Sequence, residues 1–504
     1  MRIDTFTQKF RSTGSNSRVY PACLLLLVVF AALLSGCKNG QSNAQPLVNS
    51  SAPPPPGSTE ARTSYAEVVD RVSPAVVIIR SQKRARAPQQ FPFMNDPSLD
   101  QFGDRGENNA PRERRESGVG SGVIVSADGY LLTNHHVIDG AEQIKVDLTD
   151  GRTLDAKVVG SDPPSDLAVL KIDASNLPLL SLGDSNRVRI GDVVLAIGNP
   201  LGVGKTVTMG IISAKGRQTG LSNGTFEDFL QTDAPINQGN SGGALVNTDG
   251  ELIGINSQIL SQSGGSIGIG FAIPSNMARN VMDQLIKTGK VRRGQLGIIV
   301  QKVTTDMASS LGLQEARGVI VSQVQPGSAA ERAGIKQGDL ITALNGTPIN
   351  DANSFRNQVA STQPGTEVNL TITRGGREQQ LSATLGEFSA EKESSDKQDA
   401  GAGNTNNADT GKLGINVEPL TPEMASRLGV PGDTQGLIVT DVDGAGPAAD
   451  AGLQRGDVIE QVNQQSVRSA EDLRASLSRN GTRPSLLLVN RRGTTVFVTV
   501  TPRR

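Results

Sequence analysis

The sequence predicts a mainly β protein, a pair of β-barrels followed by two smaller α+β modules. Three observations carry that expectation. Short apolar runs punctuated by turn dipeptides fill residues 62–275, an amphipathic helix closes that stretch, and after Val291 one pattern of about a hundred residues occurs twice. Composition agrees with it. A chain of 504 residues is long enough for several domains, and 57 glycines suit a turn-rich β protein. With no tryptophan and only 3% aromatic residues, the cores must be aliphatic. A formal net charge of -1 gives no reason to expect nucleic acid as a partner.

Lys9, Arg11 and Arg18 precede the apolar run from Ala22 to Leu34, and Ser35, Gly36 and Cys37 follow it. A basic flank, a short apolar core and small residues describe an export signal over residues 1–36, too short for a spanning helix. Leu34-Ser35-Gly36-Cys37 resembles the bacterial lipobox, in which cleavage leaves the cysteine as a lipid-bearing N-terminus; an ordinary signal peptide with a chance cysteine, or an uncleaved anchor, matches the same residues. Cys23, the other of the two cysteines, would leave with the signal, so the mature chain is expected to have no disulfide. Residues 37–62 are rich in Asn, Gln, Ser and Pro and cannot bury a core; they read as an extended tether.

Residues 63–290 form the first folded region. Ser64 to Val72 reads as a short amphipathic helix and Ala75 to Ile79 as a strand. A long polar insertion, Gln82 to Ser117, comes next; loops of that length are functional or disordered. Gly118 to Ile138 reads as a β-hairpin turning at Asp128-Gly129, and Asp-Gly recurs at 150–151 and 249–250. Strands are expected at Gln143–Asp147, Leu154–Val159, Leu167–Ile172, Asp192–Ile197 and Leu252–Asn256, a spacing that suits a barrel or sandwich. Asn276 to Lys287 reads as the closing helix, capped by Ser275 and ended at Gly289.

In the C-terminal half, Gly294-Gln-Leu-Gly-Ile298 leads to Gly318–Val324 and Ala333–Ile341, and Gly411-Lys-Leu-Gly-Ile415 leads to Gly436–Val442 and Ala451–Ile459. Repeats of this length are tandem domains rather than solenoid units, here 291–388 and 411–504. They resemble PDZ domains of the protease-associated type. That resemblance implies that a peptide adds as a strand beside the first strand of each module, its terminal carboxylate held at Leu296, Gly297 and Ile298, with Arg293 as a charge partner, and at Leu413, Gly414 and Ile415. The second copy also reads as a structural spacer. Residues 389–410 are charged and Gly/Asn-rich and are expected to be a flexible linker.

The chemistry centres on Gly239-Asn-Ser-Gly-Gly243, where Ser241 sits among glycines that permit a tight turn with backbone N–H groups aimed at a developing oxyanion. A Gly-rich hairpin that happens to carry a hydroxyl would match the same string. A serine needs a base, and the two histidines of the chain are adjacent, His135 and His136. As neighbours on a strand they would point to opposite faces, so the residues alone do not choose between them. Asp166, at the start of an apolar strand, is a candidate carboxylate to orient the base, although an Asp there is often a turn residue. The order His, Asp, Ser, each at the edge of a β-rich segment, is that of chymotrypsin-like double barrels.

Together Thr133-Asn-His-His-Val-Ile138, Ser165-Asp-Leu-Ala-Val169, Gly239–Leu245 and Gly268-Ile-Gly-Phe-Ala-Ile-Pro274 resemble the HtrA/Deg family of serine proteases, from about Tyr65 to the C-terminus. The resemblance implies His136 as base, Asp166 as its partner, Ser241 as nucleophile and an oxyanion hole at Gly239, Asn240 and Ser241. It places the primary pocket at Ile236, Ile259 and Leu260, suited to a small or medium aliphatic side chain, with Asp233 outside the pocket base. It matches the long insertion to a loop that reaches a neighbouring active site, and Ser213-Ala-Lys-Gly-Arg217 to a sensor loop whose arginine, Arg217, relays substrate or PDZ contact. The implied protein is a trimeric or higher homo-oligomer in the bacterial periplasm, tethered through Cys37, that cleaves unfolded proteins without ATP. No metal or cofactor is expected, and the sequence has no nucleotide loop. Two other readings stay open: a chaperone or peptide-binding scaffold on a protease fold, and a regulatory protease cutting one signalling partner.

Overall fold

The computed structural model describes residues 64–84, 115–199, 204–220, 226–261, 264–388, 409–410, 413–481 and 483–501. The export signal, Cys37, the tether, the centre of the long insertion and most of the linker lie outside the described residues.

Helix α1 (Ala66–Val72) leads into a closed barrel of β1 (Val76–Arg84), β2 (Arg115–Ile124), β3 (Tyr130–Thr133), β4 (Gln143–Asp147), β5 (Thr153–Asp162) and β6 (Leu167–Ile172), ordered β1-β2-β3-β6-β5-β4. A second closed barrel has β7 (Val193–Gly198), β8 (Thr206–Arg217), β9 (Phe229–Thr232), β10 (Ala244–Asn247), β11 (Leu252–Ile259) and β12 (Gly270–Pro274), ordered β10-β11-β12-β9-β8-β7. Closure leaves neither sheet with an exposed edge. Strand β6 shows how the aliphatic sequence is used. Ala168, Leu170 and Ile172 point into the first barrel with Ile79, Ile124 and Val146. Leu167 and Val169 point the other way, into a cluster shared with Leu195, Ile197, Val246 and Ile255 of the second barrel. A strand buried on both faces needs an unbroken apolar run, as this one has.

Several local expectations change. The ends of the long insertion are strand, since β1 and β2 stay paired as far as Arg84 opposite Arg115. The β2–β3 hairpin does turn at Gly129, φ 101°, where an added Cβ would lie 2.4 Å from the Ile172 carbonyl oxygen. It ends at Thr133, however, and the two histidines sit in a single helical turn, α2 (His135–Ile138), not on a strand. The closing helix α3 (Ser275–Thr288) stops at Gly289 in the left-handed region as expected. Ser275 does not cap it; its hydroxyl donates to the Gly183 carbonyl at 2.8 Å, tying the helix to the barrel.

The first C-terminal module has β13 (Gly294–Gln295), β14 (Ile298–Lys302), α4 (Thr305–Leu311), β15 (Val319–Val324), α5 (Ala329–Arg332), β16 (Leu340–Leu344), β17 (Thr347–Pro348), α6 (Ala352–Ser361), β18 (Glu367–Arg374), β19 (Arg377–Thr384) and β20 (Gly386–Glu387). Its sheet runs β14-β15-β16-β18-β19. The second has β21 (Asp409–Thr410), β22 (Ile415–Pro419), α7 (Pro422–Leu428), β23 (Leu437–Val442), α8 (Pro447–Asp450), β24 (Val458–Val462), β25 (Gln465–Ser466), α9 (Ala470–Asn480), β26 (Ser485–Arg491) and β27 (Thr494–Val500), with the path β21-β22-β23-β24-β26-β27. The repeat extends to buried charge. Asp339 is paired with Arg374 and Asp457 with Arg491, each at 2.7 Å, and each arginine also donates to a glycine carbonyl, Gly334 or Gly452. The modules share one apolar cluster, in which Leu486, Leu488 and Phe497 pack with Val303, Met307, Ile320 and Leu340.

Candidate active site

Asp166 organises the site. It follows the turn Pro163–Ser165 and takes φ 54°, a left-handed conformation uncommon for a residue with a side chain. There its backbone carbonyl accepts from the N–H of His135 at 3.1 Å and from Asn134 Nδ2 at 3.0 Å. Its carboxylate accepts from the N–H of His136 at 3.0 Å. The first amide donors of α2 would otherwise lack partners, so one aspartate both ends a turn and fixes the helical turn that holds the histidines. His136 Nδ1 lies 2.8 and 3.0 Å from the two Asp166 oxygens. His135 faces elsewhere, with Nε2 3.7 Å from Asp139.

Ser241 enters from the second barrel, just before β10. Its carbonyl accepts from the Ser121 N–H of β2 at 2.8 Å, which sets the loop against the first barrel. Glycine is required there. An added Cβ on Gly242, φ 82°, would lie 2.1 Å from the Ser121 carbonyl oxygen, and one on Gly243 would lie 2.3 Å from that of Ile197. The Ser241 hydroxyl donates to the Ser257 carbonyl at 2.9 Å, and the Ser257 hydroxyl donates to Asp166 Oδ2 at 2.9 Å. Ser257, buried in β11, thus touches both ends of the constellation. Sequence reasoning missed it, and the only signal was a polar pair, Asn256-Ser257, in an otherwise buried apolar strand. Ser257→Ala is expected to lower kcat about tenfold with little change in KM or Tm, because Asp166 loses one donor but keeps the histidine. Steady-state kinetics on a peptide substrate check this.

The remaining site residues divide. The Gly239 and Ser241 N–H groups donate to nothing among the described residues, whereas the Asn240 N–H is taken by the Asn237 carbonyl at 2.9 Å. Asn240 therefore drops out of the expected oxyanion donors. Ile236 is fully buried in the second barrel's core, with Ile259 packed against that cluster, while Leu260 is 44% exposed and belongs to no such lining. The Asp233 carboxylate accepts from the Ile211 N–H at 2.7 Å. Ser213–Arg217 is the end of β8 rather than a loop, and Arg217 Nε donates to Gln231 Oε1 at 3.1 Å across the strand pair. Leu296 and Leu413 are buried, and Gly297 and Gly414 take φ 75° and 71° in matching loops.

Arg293 is not a carboxylate receptor. Its guanidinium is buried in a two-pronged ion pair with Asp162 of the first barrel, 2.8 and 2.5 Å, and lies 4.6 Å from the centre of the Phe226 ring. Asp162 also accepts from the N–H and hydroxyl of Ser165, within the turn that presents Asp166. Phe226 meets Phe388 edge to face at 5.3 Å. Asn353 and Asn357 of α6 both donate to the Glu227 carbonyl at 2.8 Å. The first module is thereby fastened to the segment between β8 and β9 and to the turn before Asp166.

Asp228 in this joint is pushed up to about 6 by burial, with the Asp351 carboxylate of the module adding and Lys215 of β8 opposing. A carboxyl raised in the fold leaves stability intact below its ordinary value of 3.8, and stability is lost as pH rises from there through about 6. Asp228→Asn is expected to remove this group's share of the pH dependence, gaining about 2 kcal/mol at pH 8 and less at pH 5. Unfolding curves at both pH values test it; an unchanged pH slope in the variant would remove Asp228 from the account.

Comparison with known proteins places these features in context. The trypsin-like peptidase domain matches residues 120–255, and PDZ domains match 290–385 and 438–491. The chain is 42% identical over 446 residues to a probable periplasmic serine endoprotease DegP-like of Chlamydia muridarum, covering 86% of this chain and 87% of that one. It is 41% identical to the periplasmic serine endoprotease DegP of Escherichia coli K12, covering 85% and 89%. Among solved structures, the HtrA-type protease AlgW with decapeptide is 50% identical, with a TM-score of 0.52 over 65% of this chain and 99% of that one.

Proposed function

The chain belongs to the HtrA/Deg family of serine endoproteases, and on that premise we propose that it cuts misfolded envelope proteins in the periplasm with Ser241 as nucleophile, His136 as general base and Asp166 as its orienting partner. The observation that carries this assignment is the seating of both Asp166 oxygens on His136 Nδ1, with Ser257 linking Asp166 to Ser241. Held by Nδ1, the imidazole keeps Nε2 free to take the Ser241 proton as Oγ attacks the scissile carbonyl, and then to protonate the leaving amine. The hydroxyl has to leave the Ser257 carbonyl to do so. Oxyanion charge falls on the Gly239 and Ser241 N–H groups. Water then cleaves the acyl-enzyme by the same route, and no nucleotide takes part. A preference for small or medium apolar side chains rests on the family resemblance, since Ile236 is buried in the barrel core.

Cys37 anchors the mature chain through lipid, more than one acyl chain being needed for stable attachment. Cys37→Ser should release the protein from the detergent phase. The working unit is a homo-oligomer, a trimer or a multiple of it, which light scattering on the delipidated protein measures. The PDZ modules receive C-terminal peptides at Leu296–Ile298 and Leu413–Ile415. Regulation enters through the segment from Arg217 to Phe229, which the first module grips at Glu227. Arg217→Ala is expected to blunt activation by peptides with apolar C-termini severalfold without altering Tm; activation equal to the parent's would remove the arginine from that relay. The central test is unfolded casein with parent and Ser241→Ala protein, scoring cleavage and suppression of aggregation. Suppression without cleavage by the parent would replace the protease reading with that of a scaffold.

A further inference from the structure

The two C-terminal modules carry the same loop and the same strand behind it, yet their sheet edges differ. Strand β14 stands at the end of its sheet, paired with β15. Strand β22 has a neighbour on each side. One is β23; the other is β21, antiparallel, with Asp409 opposite Asn416 and Thr410 opposite Ile415. β21 is the last stretch of the segment between the modules, and four residues separate it from β22 along the chain.

A peptide that adds to a sheet edge needs the backbone N–H and C=O groups on that side of the receiving strand, and each side of a strand takes one partner. From the geometry we propose that the chain caps its own second peptide groove: β21 lies where the last residues of an incoming C-terminal peptide would pair, so the second module is closed while the first is open. This rests on the reading of the modules as peptide receptors. The cap has the advantage of tethering, because a segment joined through only four residues acts at an effective concentration of order mM. It is also only two residues long, and so short a ladder is weak. The second groove is therefore lowered in apparent affinity by the fraction of time it is open rather than destroyed. Held against the first module through Leu486, Leu488 and Phe497, the second module needs no ligand to keep its position.

The test is calorimetric titration of the full chain, carrying Ser241→Ala, with a decapeptide that ends in three apolar residues and a free carboxylate. One equivalent is expected to bind. Gly297→Val should remove it, since the added Cβ would lie 2.4 Å from Ser328 Cβ in a loop that takes φ 75°. Asp409→Pro with Thr410→Pro, which cannot keep the ladder, should expose a second equivalent at least ~tenfold tighter than any second-site binding of the parent. Adding Gly414→Val should take that equivalent away again. Two equivalents of equal affinity in the parent, or no second equivalent in the proline variant, would overturn the cap. A parent that binds no peptide while the proline variant gains one would leave the cap standing and refute the first module as a receptor. Hydrogen exchange over residues 415–419 gives an independent reading: faster in the proline variant if β21 covers the edge, unchanged if it does not.

Discussion

His136→Ala and Ser241→Ala are each expected to reduce casein cleavage by at least ~10⁴-fold, whereas His135→Ala should stay within about fivefold of the parent. The contrast follows from one helical turn. His136 sends Nδ1 to both Asp166 oxygens, and His135 turns toward Asp139. Removing the base leaves a neutral serine hydroxyl, and removing the hydroxyl leaves a base with nothing to activate. Neither side chain is part of an apolar core cluster, so melting temperatures should barely move. The measurement is a progress curve on fluorescent casein beside an unfolding curve for each variant. An inactive His135→Ala paired with an active His136→Ala would reverse the assignment.

Asp162→Ala should be the most damaging single change outside that set. It leaves the Arg293 guanidinium, 9% exposed, without its carboxylate, and takes from Ser165 the acceptor that shapes the turn before Asp166. Removing one partner of a buried pair costs about 3–5 kcal/mol, because the other charge stays buried and uncompensated. In a region of this size that is a fall in Tm of roughly 10 °C. Activity should fall as well, since the left-handed conformation of Asp166 is held by that turn. Replacing both partners with apolar residues, Asp162→Leu with Arg293→Met, should recover most of the stability. A double-mutant cycle by calorimetry reads the coupling; additive effects of the two single changes would mean the pair is not a unit.

Much of this was legible from sequence, and what was not has physical reasons. Ser241, Asp166 and the pair His135–His136 could be singled out because each sits in a string of distinctive residue types whose order along the chain is itself informative, whereas the choice of His136 came from the family resemblance alone. The barrels could be expected because apolar runs and Asp-Gly turns are local signals; that β8 runs on through Ser213–Arg217 was hidden because Thr206–Arg217 mixes glycine, lysine and threonine into a strand that is largely exposed on one face. The helical turn at His135–Ile138 was invisible, since four residues carry no period and its stability comes from Asp166 at a distance of 30 residues. Arg293 was misread for a similar reason. Beside the Leu296-Gly-Ile298 loop an arginine invites one interpretation, and its partner lies 131 residues away in another domain. Ser257 carried only the faint signal of polar residues in a buried strand, because its role is defined by what its hydroxyl and carbonyl meet in space.

The edge-to-face contact of Phe226 with Phe388 spans the joint between the second barrel and the first module in a chain that contains no tryptophan. Phe388→Trp would therefore install the molecule's sole indole at the seam, against a ring that also carries the Arg293 guanidinium. Its emission maximum and its quenching by acrylamide would report, without any label, whether the seam stays shut when a peptide arrives or parts to let solvent in.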